Sequence, residues 1–290
     1  MKVIVQFSGG KDSHAALIWA VKKYGAENII AQFSDTGWES PLTYAHIQDT
    51  VRKWDVRLVV LSSSKYDGMV DLAKKKKRFP SMKARFCTEE LKVKPFIDWL
   101  LKQEEDLLII QGIRASESES RSKMSAGCRM FKFYLEPYGH DKDGNPKYHK
   151  YRRKEVLKWI KKYDDSIWRP FFTKSGQDVV NYILDNGDKP NPLYSMGMKR
   201  VGCFPCINAN IPQLKQLHKR FPKRMEEVAK IEEEVGSTFF APDKIPEWAR
   251  SNPIMTSMKD VTKYINGKNA TLDMFDEDTS SCMSYYNICE

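Results

Sequence analysis

The chain has 290 residues, 41% of them hydrophobic, enough for one large or two modest domains with a proper core. No segment reaches the ~18 consecutive apolar residues of a membrane span, and the first residues read as a strand rather than a signal peptide, so a cytoplasmic location is expected. Lysine and arginine outnumber aspartate and glutamate 48 to 38, a formal net charge of +10 that suits polyanions such as nucleic acid, and six cysteines point to metal ligands or redox groups rather than structural disulfides.

In chain order, Val3–Phe7 is an apolar run that reads as a strand, and a helical pattern follows to Tyr24. Between them lie Ser8-Gly9-Gly10-Lys11-Asp12-Ser13. A strand that ends in two glycines and restarts as a helix gathers backbone N–H groups and the positive end of a helix dipole at one point, which is a phosphate site. The glycines permit positive φ and close approach of an anion, Lys11 adds a fixed charge, and Ser8 and Ser13 supply hydroxyls. The spacing matches neither the Walker nucleotide loop nor the dinucleotide fingerprint.

Strand and helix signals then alternate. Ile29–Phe33 and Leu58–Leu61 read as strands flanking a helix from about Pro41 to Trp54, and a helix over Thr88 to Gln103 precedes a buried strand at Leu107–Ile110. This alternation predicts an α/β fold with a parallel sheet and helices on both faces. From Glu136 to about Asp165 the composition turns polar and aromatic around Gly139-His140-Asp141-Lys142-Asp143-Gly144-Asn145-Pro146, which reads as an insertion over the nucleotide site. Ser175 caps a further helix with Asp178 three residues on, one long helix is expected from about Pro212 to Val235, and the remainder has weak periodicity and ends with Cys282 and Cys289. Basic runs occur at Lys74–Arg78, Lys150–Lys154 and Lys219–Arg224.

Polar clusters follow the strands where an open α/β sheet binds ligands. Ser34-Asp35-Thr36-Gly37-Trp38-Glu39 offers Asp35 for a water-bridged magnesium ion or a nucleotide amine, and Trp38 for stacking on a ring. Gly112-Ile113-Arg114-Ala115-Ser116-Glu117-Ser118-Glu119-Ser120-Arg121 offers two arginines for bidentate phosphate contacts.

Two resemblances follow from these residues. The loop SGGKDS resembles that of the PP-loop ATP pyrophosphatases, which split ATP between its α and β phosphates. The whole series of SGGKDS, DTGWE, Phe86-Cys87-Thr88-Glu89-Glu90-Leu91-Lys92-Val93-Lys94-Pro95, GIRASES, Trp168-Arg169-Pro170, Asn191-Pro192-Leu193-Tyr194 and Arg200-Val201-Gly202-Cys203-Phe204-Pro205-Cys206 resembles the phosphoadenosine phosphosulfate reductase family from residue 3 to about 207. The resemblance implies a Rossmann-like, adenine nucleotide alpha-hydrolase-like sheet with a Cys-rich C-terminal region. It assigns nucleotide binding to Ser8, Gly9, Gly10, Lys11, Asp12, Ser13, Asp35, Gly112, Arg114, Glu117 and Arg121, with Lys11, Asp12 and Arg114 as the catalytic set. The expected division is a nucleotide-binding domain over 1–135, the insertion over 136–165, the rest of the family domain over 166–225, and a helical, Cys-containing tail over 226–290.

Cys203 and Cys206 are spaced to converge on one metal. In cluster-bearing members of the family an equivalent pair joins two adjacent cysteines; this chain has Phe86-Cys87 there, so one ligand must come from elsewhere. The resemblance thus implies Cys87, Cys203 and Cys206 with Cys289 or Cys282 as the fourth ligand, holding a [4Fe–4S] cluster or zinc, since four thiolates suit both. Cys128 reads as a small buried residue at a loop edge, and the histidines show no metal spacing.

Sulfonucleotide reductases carry a nucleophilic tail cysteine in a Glu-Cys-Gly-Leu/Ile-His context, absent here, and their phosphate loop usually loses the Lys or the Asp. Lys11 and Asp12 are both kept, which implies cleavage of ATP itself, with Mg²⁺, and adenylylation of an acceptor for sulfur transfer. A nucleic-acid acceptor and a sulfur donor or reductant protein are the implied partners. Sulfonucleotide reduction is the alternative, and a nucleotide-binding regulator without catalysis the third.

Overall fold

A computed structural model describes residues 1–267. Two compact units divide it: the first is Met1–Ser34, Ala45–Leu61 and Lys94–Pro190, and the second is Asp35–Tyr44, Ser62–Val93 and, among the described residues, 191–267. Both units are discontinuous, so they cut across the linear divisions expected at 135, 165 and 225.

The first unit is built on strands β1 (Lys2–Gln6), β2 (Ile29–Ser34), β3 (Arg57–Leu61), β4 (Leu107–Gln111), β5 (Gly127–Arg129) and β8 (Asp165–Trp168), in the order β3-β2-β1-β4-β8-β5. All pairs are parallel except β5 with β8. A separate two-stranded hairpin, β6 (Gly139–His140) with β7 (Pro146–Lys147), completes the strands. The register sets Ile4 beside Ile109 and Ile109 beside Ile167, and these residues share one core with Phe96, Ile97 and Leu100 of the helix Lys94–Leu100. With period-two alternation, Val3, Val5 and Ile110 face the other side, where helix α1 (Lys11–Tyr24) packs with the helix Gly176–Asp185 through Ala15, Ile18, Val179 and Ile183. Each fully buried Ile or Leu contributes roughly 1.5–3 kcal/mol. The parallel α/β fold expected from the alternation is the fold found.

Order reverses at β1. Its first crossover runs to β2 and on to β3, and the later strand β4 pairs on β1's other edge. The loops leaving β1 and β4 therefore diverge from neighbouring carboxyl ends, which is where sheets of this kind open a crevice.

Several expectations change. The helix expected over Thr88 to Gln103 is a short turn at Phe86–Thr88, a π-helical turn at Glu89–Val93 and a helix only from Lys94 to Leu100; Pro95 has no N–H to give the preceding turn. The segment 136–165, expected as an insertion over the nucleotide site, packs Val156 and Trp159 into the core with Phe131 and Tyr134, and Trp159 donates to the Gln103 carbonyl at 2.7 Å. Gln103 in turn accepts from Lys2 at the start of β1, so that contact lies at the amino end of the strand, away from the loop that leaves its carboxyl end. Cys128 sits on β5, paired with β8 and partly buried, instead of on a loop edge.

In the second unit, helix α2 (Pro41–Lys53) begins and helix α3 (Gly68–Lys76) contributes Met69 and Leu72 to one large core with Leu91, Leu193, Leu217 and Val228. The long helix expected from Pro212 to Val235 is two helices, Ile211–Arg220 and Pro222–Val235. Pro222 forces its predecessor out of helical geometry, and Phe221 has φ −136° and ψ 55°. The weakly patterned stretch after Val235 is packed as well, through helix Met258–Asn266, where Ser257 and Asp260 form a capping box and Met258 and Val261 are fully buried. No helix among the described residues is long and apolar enough to cross a membrane.

Candidate nucleotide-binding site

Gly9 has φ +74°, a conformation that favours glycine, and it turns the chain from β1 into α1. Gly10 is the N-cap and no side chain caps the helix. Ser13 braces the loop instead: its hydroxyl donates to the Gly10 carbonyl at 2.9 Å and accepts from the Ser8 N–H at 3.2 Å. The first turn of α1 thus meets the loop with its dipole directed at it.

Lys11 and Asp12 are both buried, and Lys11 Nζ lies 2.9 Å from Asp12 Oδ2. The same carboxylate accepts from Arg114 Nε at 2.6 Å, and Arg114 is buried too. Two cations thus share one carboxylate beside the helix N-terminus in a poorly solvated place. Arg114 also donates to the Ser116 hydroxyl at 2.8 Å, and its backbone N–H is held by Glu117 Oε2 at 3.0 Å. Arg121 pairs with the same Glu117 oxygen. Glu117 therefore ties the Arg114 backbone to the Arg121 side chain. Gly112 has a separate reason to be glycine: a Cβ there would lie 2.3 Å from the Asp12 carbonyl carbon and the Ser13 nitrogen. The end of β4 abuts the first turn of α1, which is what brings Arg114 onto Asp12.

In the second unit, Asp35 accepts from the Gly37 N–H at 2.9 Å and from the Tyr44 hydroxyl at 2.6 Å. Burial, with the hydrogen bond to Asp35 and the neighbouring Glu39 charge, pushes the Tyr44 phenol well above its ordinary range, so it stays a donor. Glu39 is buried and takes N–H bonds from Thr36 and Trp38 as well as the Thr36 hydroxyl. Trp38, expected to stack on a ligand ring, is buried at 2% exposure. It stacks on Phe239, donates Nε1 to the Pro205 carbonyl at 2.8 Å, and is covered by the Arg224 guanidinium at 4.1 Å. No ligand ring can reach it.

Cys87, Cys203 and Cys206 are free, partly buried thiols against the same core. Burial pushes Cys203 up to about 11, opposed by Lys92, whose Nζ lies 4.0 Å from its sulfur. Burial also raises Cys87, with Cys206 adding, and Cys203 is raised further by both Cys206 and Cys87. Burial alone would lower Lys92, but Cys203, Glu39, Cys87 and Cys206 together raise it. The donor chemistry suits a soft metal centre with an adjacent cation. Among the described residues, however, no group of three or more His, Cys, Asp or Glu is disposed to hold a metal ion. Cys282 and Cys289 lie outside the described residues.

A profile of the phosphoadenosine phosphosulfate reductase domain matches residues 2–209. The chain belongs to that family. The family domain thus takes in the phosphate loop, the Gly112–Arg121 loop and the cysteine pair. Relatives include an uncharacterised 37.8 kDa protein of Escherichia phage 186, 29% identical over 99% of this chain and 96% of the relative. An uncharacterised protein of Methanocaldococcus jannaschii is 28% identical over 77% of this chain, which spans 40% of that relative's length. Among solved structures, phosphoadenylyl-sulfate reductase from Candida auris in a phosphate complex aligns over 70% of this chain and 81% of that one, at 14% identity and a TM-score of 0.46.

Within the family domain, the structure adds residues that motif reading passed over. Gln6 and Gln111 pair at 2.7 Å at the ends of β1 and β4, and buried Arg169 donates to Gln111 at 3.0 Å and to the Ser125 carbonyl at 2.6 Å. His14, fully buried behind the loop, meets Asp188 at 3.1 Å, and Trp54 donates to the same oxygen at 2.7 Å. Strand-end polar residues in apolar runs are the signal for the glutamines; nothing local marks Asp188.

Proposed function

We propose that this chain binds ATP with the Ser8–Ser13 loop, cleaves it between the α and β phosphates, and so adenylylates a nucleic-acid acceptor that then takes up sulfur. The observation that supports this reading is the joint presence of Lys11, Asp12 and Arg114 in one buried cluster at the N-terminus of α1. An acceptor oxygen attacks the α phosphorus, the bond to the bridging oxygen breaks, and pyrophosphate leaves with its charge held by loop amides and Lys11. Asp12 keeps Lys11 and Arg114 aimed while both stay desolvated. A sulfur nucleophile from a donor protein then displaces AMP. Mg²⁺ on the departing oxygens would add charge neutralisation, and Asp35 would stand at the nucleotide edge.

Cys87, Cys203 and Cys206, with Cys289 or Cys282 as fourth donor, would hold a [4Fe–4S] cluster, or zinc in its place. Such a centre would supply redox or sulfur-handling chemistry, and Lys92 would offset its negative charge. The family's own description favours a second reading, reduction of a sulfonucleotide.

Incubation with ATP, Mg²⁺ and oligonucleotide should release AMP and pyrophosphate. Release of ADP and phosphate would reject the proposal, and sulfite from phosphoadenosine phosphosulfate with ATP inert would establish the reductase.

A further inference from the structure

Residues at the break, Phe221 and Pro222, line a cavity of about 550 Å³ in the second unit, within the roughly 300–1,000 Å³ of small-ligand sites. Phe204 and Phe221 form its aromatic wall, with ring centroids 5.1 Å apart and edge to face. Phe204 is buried while Phe221 is partly exposed. Arg220, Lys223 and Arg224 stand around it.

The charges there do not cancel. Glu227 is paired with Arg224 at 3.0 Å, and Arg224 is committed to the wall by its bond to the Phe204 carbonyl at 2.8 Å and its stacking on Trp38. Glu39 is turned inward, with its side chain 2% exposed and its oxygens on Thr36 and Trp38. Arg220 and Lys223 are exposed, and neither has an acidic partner among the described residues. These two cations flank the helix break, with Phe221 between them in sequence, and all three line the pocket. Cations that flank a pocket with an aromatic wall suit a phosphate backbone carrying a base that leaves its stack.

We propose that this pocket seats one unstacked base of a single-stranded nucleic acid against Phe221, with the flanking phosphates on Arg220 and Lys223. Resting on the nucleic-acid acceptor reading above, it gives that acceptor a place in the second unit, against Phe204, which lies between Cys203 and Cys206 in sequence. The cations and Phe221 lie beyond residue 209, where the family domain ends, so the pocket combines the family domain with this chain's own following helices.

The test is fluorescence anisotropy of the full chain with labelled single-stranded DNA, single-stranded RNA and duplex DNA over a salt series. Single strands should bind more tightly than duplex. R220A/K223A should weaken single-strand binding at least about 10-fold and lower the slope of log affinity against log salt by ~1.4, two phosphate contacts at ~0.7 each. Phe221→Ala should cost about 5- to 100-fold with the slope unchanged, since stacking carries no counterion release. The charge-matched control K76A/K230A, at exposed lysines elsewhere in the unit, should stay within about threefold of wild type. Circular dichroism melts confirm that each variant is folded. Equal losses in R220A/K223A and the control, duplex preferred over single strands, or polyglutamate competing as well as oligonucleotide would each overturn the pocket, the last pointing to an acidic peptide. DNA against RNA decides the class of strand. Nucleotide products of the wild-type chain are measured alongside: oligonucleotide binding that needs Arg220 without AMP formation would sink only the adenylylation reading, and AMP formation with indifferent binding would sink only the pocket.

Discussion

Arg114 Nε lies 2.6 Å from Asp12 Oδ1 while Lys11 Nζ lies 2.9 Å from the other oxygen of the same carboxylate. One buried anion therefore holds two cations in place before any ligand arrives. Asp12→Asn would leave both under-compensated, and a broken buried ion pair costs about 3–5 kcal/mol. Thermal melting should show a marked loss in the variant, and added pyrophosphate should narrow the gap by supplying the missing negative charge. A variant that melts with wild type would remove the electrostatic account of this cluster.

Lys11 is buried at the helix N-terminus, so its charge would act on a bound phosphate with little solvent screening. Lys11→Ala is expected to weaken ATP binding or turnover about 10-fold or more. Calorimetric titration with ATP and an AMP-release assay check it, and unchanged values in a folded variant would remove the phosphate-binding role.

Gly112→Ala tests the approach of β4 to α1. Its Cβ would sit 2.3 Å from backbone atoms of Asp12 and Ser13, so strand end or helix must move. Overpacking of this kind costs about 1–3 kcal/mol or more, and the displaced Arg114 should lower ATP affinity as well. Gly139→Ala, where a Cβ meets nothing within 4 Å, is the control. Equal denaturant midpoints for the two variants would contradict the geometry.

Glu232 gives the second unit a pH dependence. It accepts from the backbone N–H of Phe239 at 2.6 Å and of Met258 at 2.8 Å, yet burial, with Asp260 adding, pushes its carboxyl from 4.5 up to about 7. Between those values the folded chain keeps a proton that the unfolded chain has released. The stability from this group is thus full below about pH 4.5 and is lost as pH rises through 7, by about 3 kcal/mol at most. Glu232→Gln, neutral throughout, should flatten that part of the profile in denaturant unfolding at pH 5 and 8. Parallel profiles would assign the dependence elsewhere.

For the cysteines, Cys87→Ser, Cys203→Ser and Cys206→Ser should each abolish bound iron in anaerobically purified protein, and Cys128→Ser on β5 should not. Loss of a broad absorption band near ~400 nm reports it. Full iron stoichiometry in the Cys203→Ser, Cys206→Ser double variant would end the cluster proposal; zinc lost in its place would keep the ligands and change the metal.

The legible parts of this chain are those where cause lies within a few residues. Gly9 and Gly10 between an apolar run and a helix announce the phosphate loop, because positive φ and a missing side chain are local properties. Period-two and period-3.6 patterns place β1, β2, β3, β4 and α1 for the same reason. Helix interruptions are half-legible: Pro95 and Pro222 are visible, but apolar periodicity running across both suggests continuous helices, and only packing decides which signal wins.

The family, the glycine-rich loop after β1 and the cysteine spacing follow from the amino acids alone, since motif, glycine and period act at short range. Partner choice does not. Arg114 reaches Asp12 across 102 residues, His14 reaches Asp188 across 174, and Trp38 is claimed by Phe239, Pro205 and Arg224 instead of being left to stack on a ligand. A hydrophobic or charged side chain states what kind of neighbour would satisfy it, not where that neighbour sits in the chain; chain folding selects one among many chemically equivalent partners, and with it which tryptophan is core and which arginine stays available for a ligand.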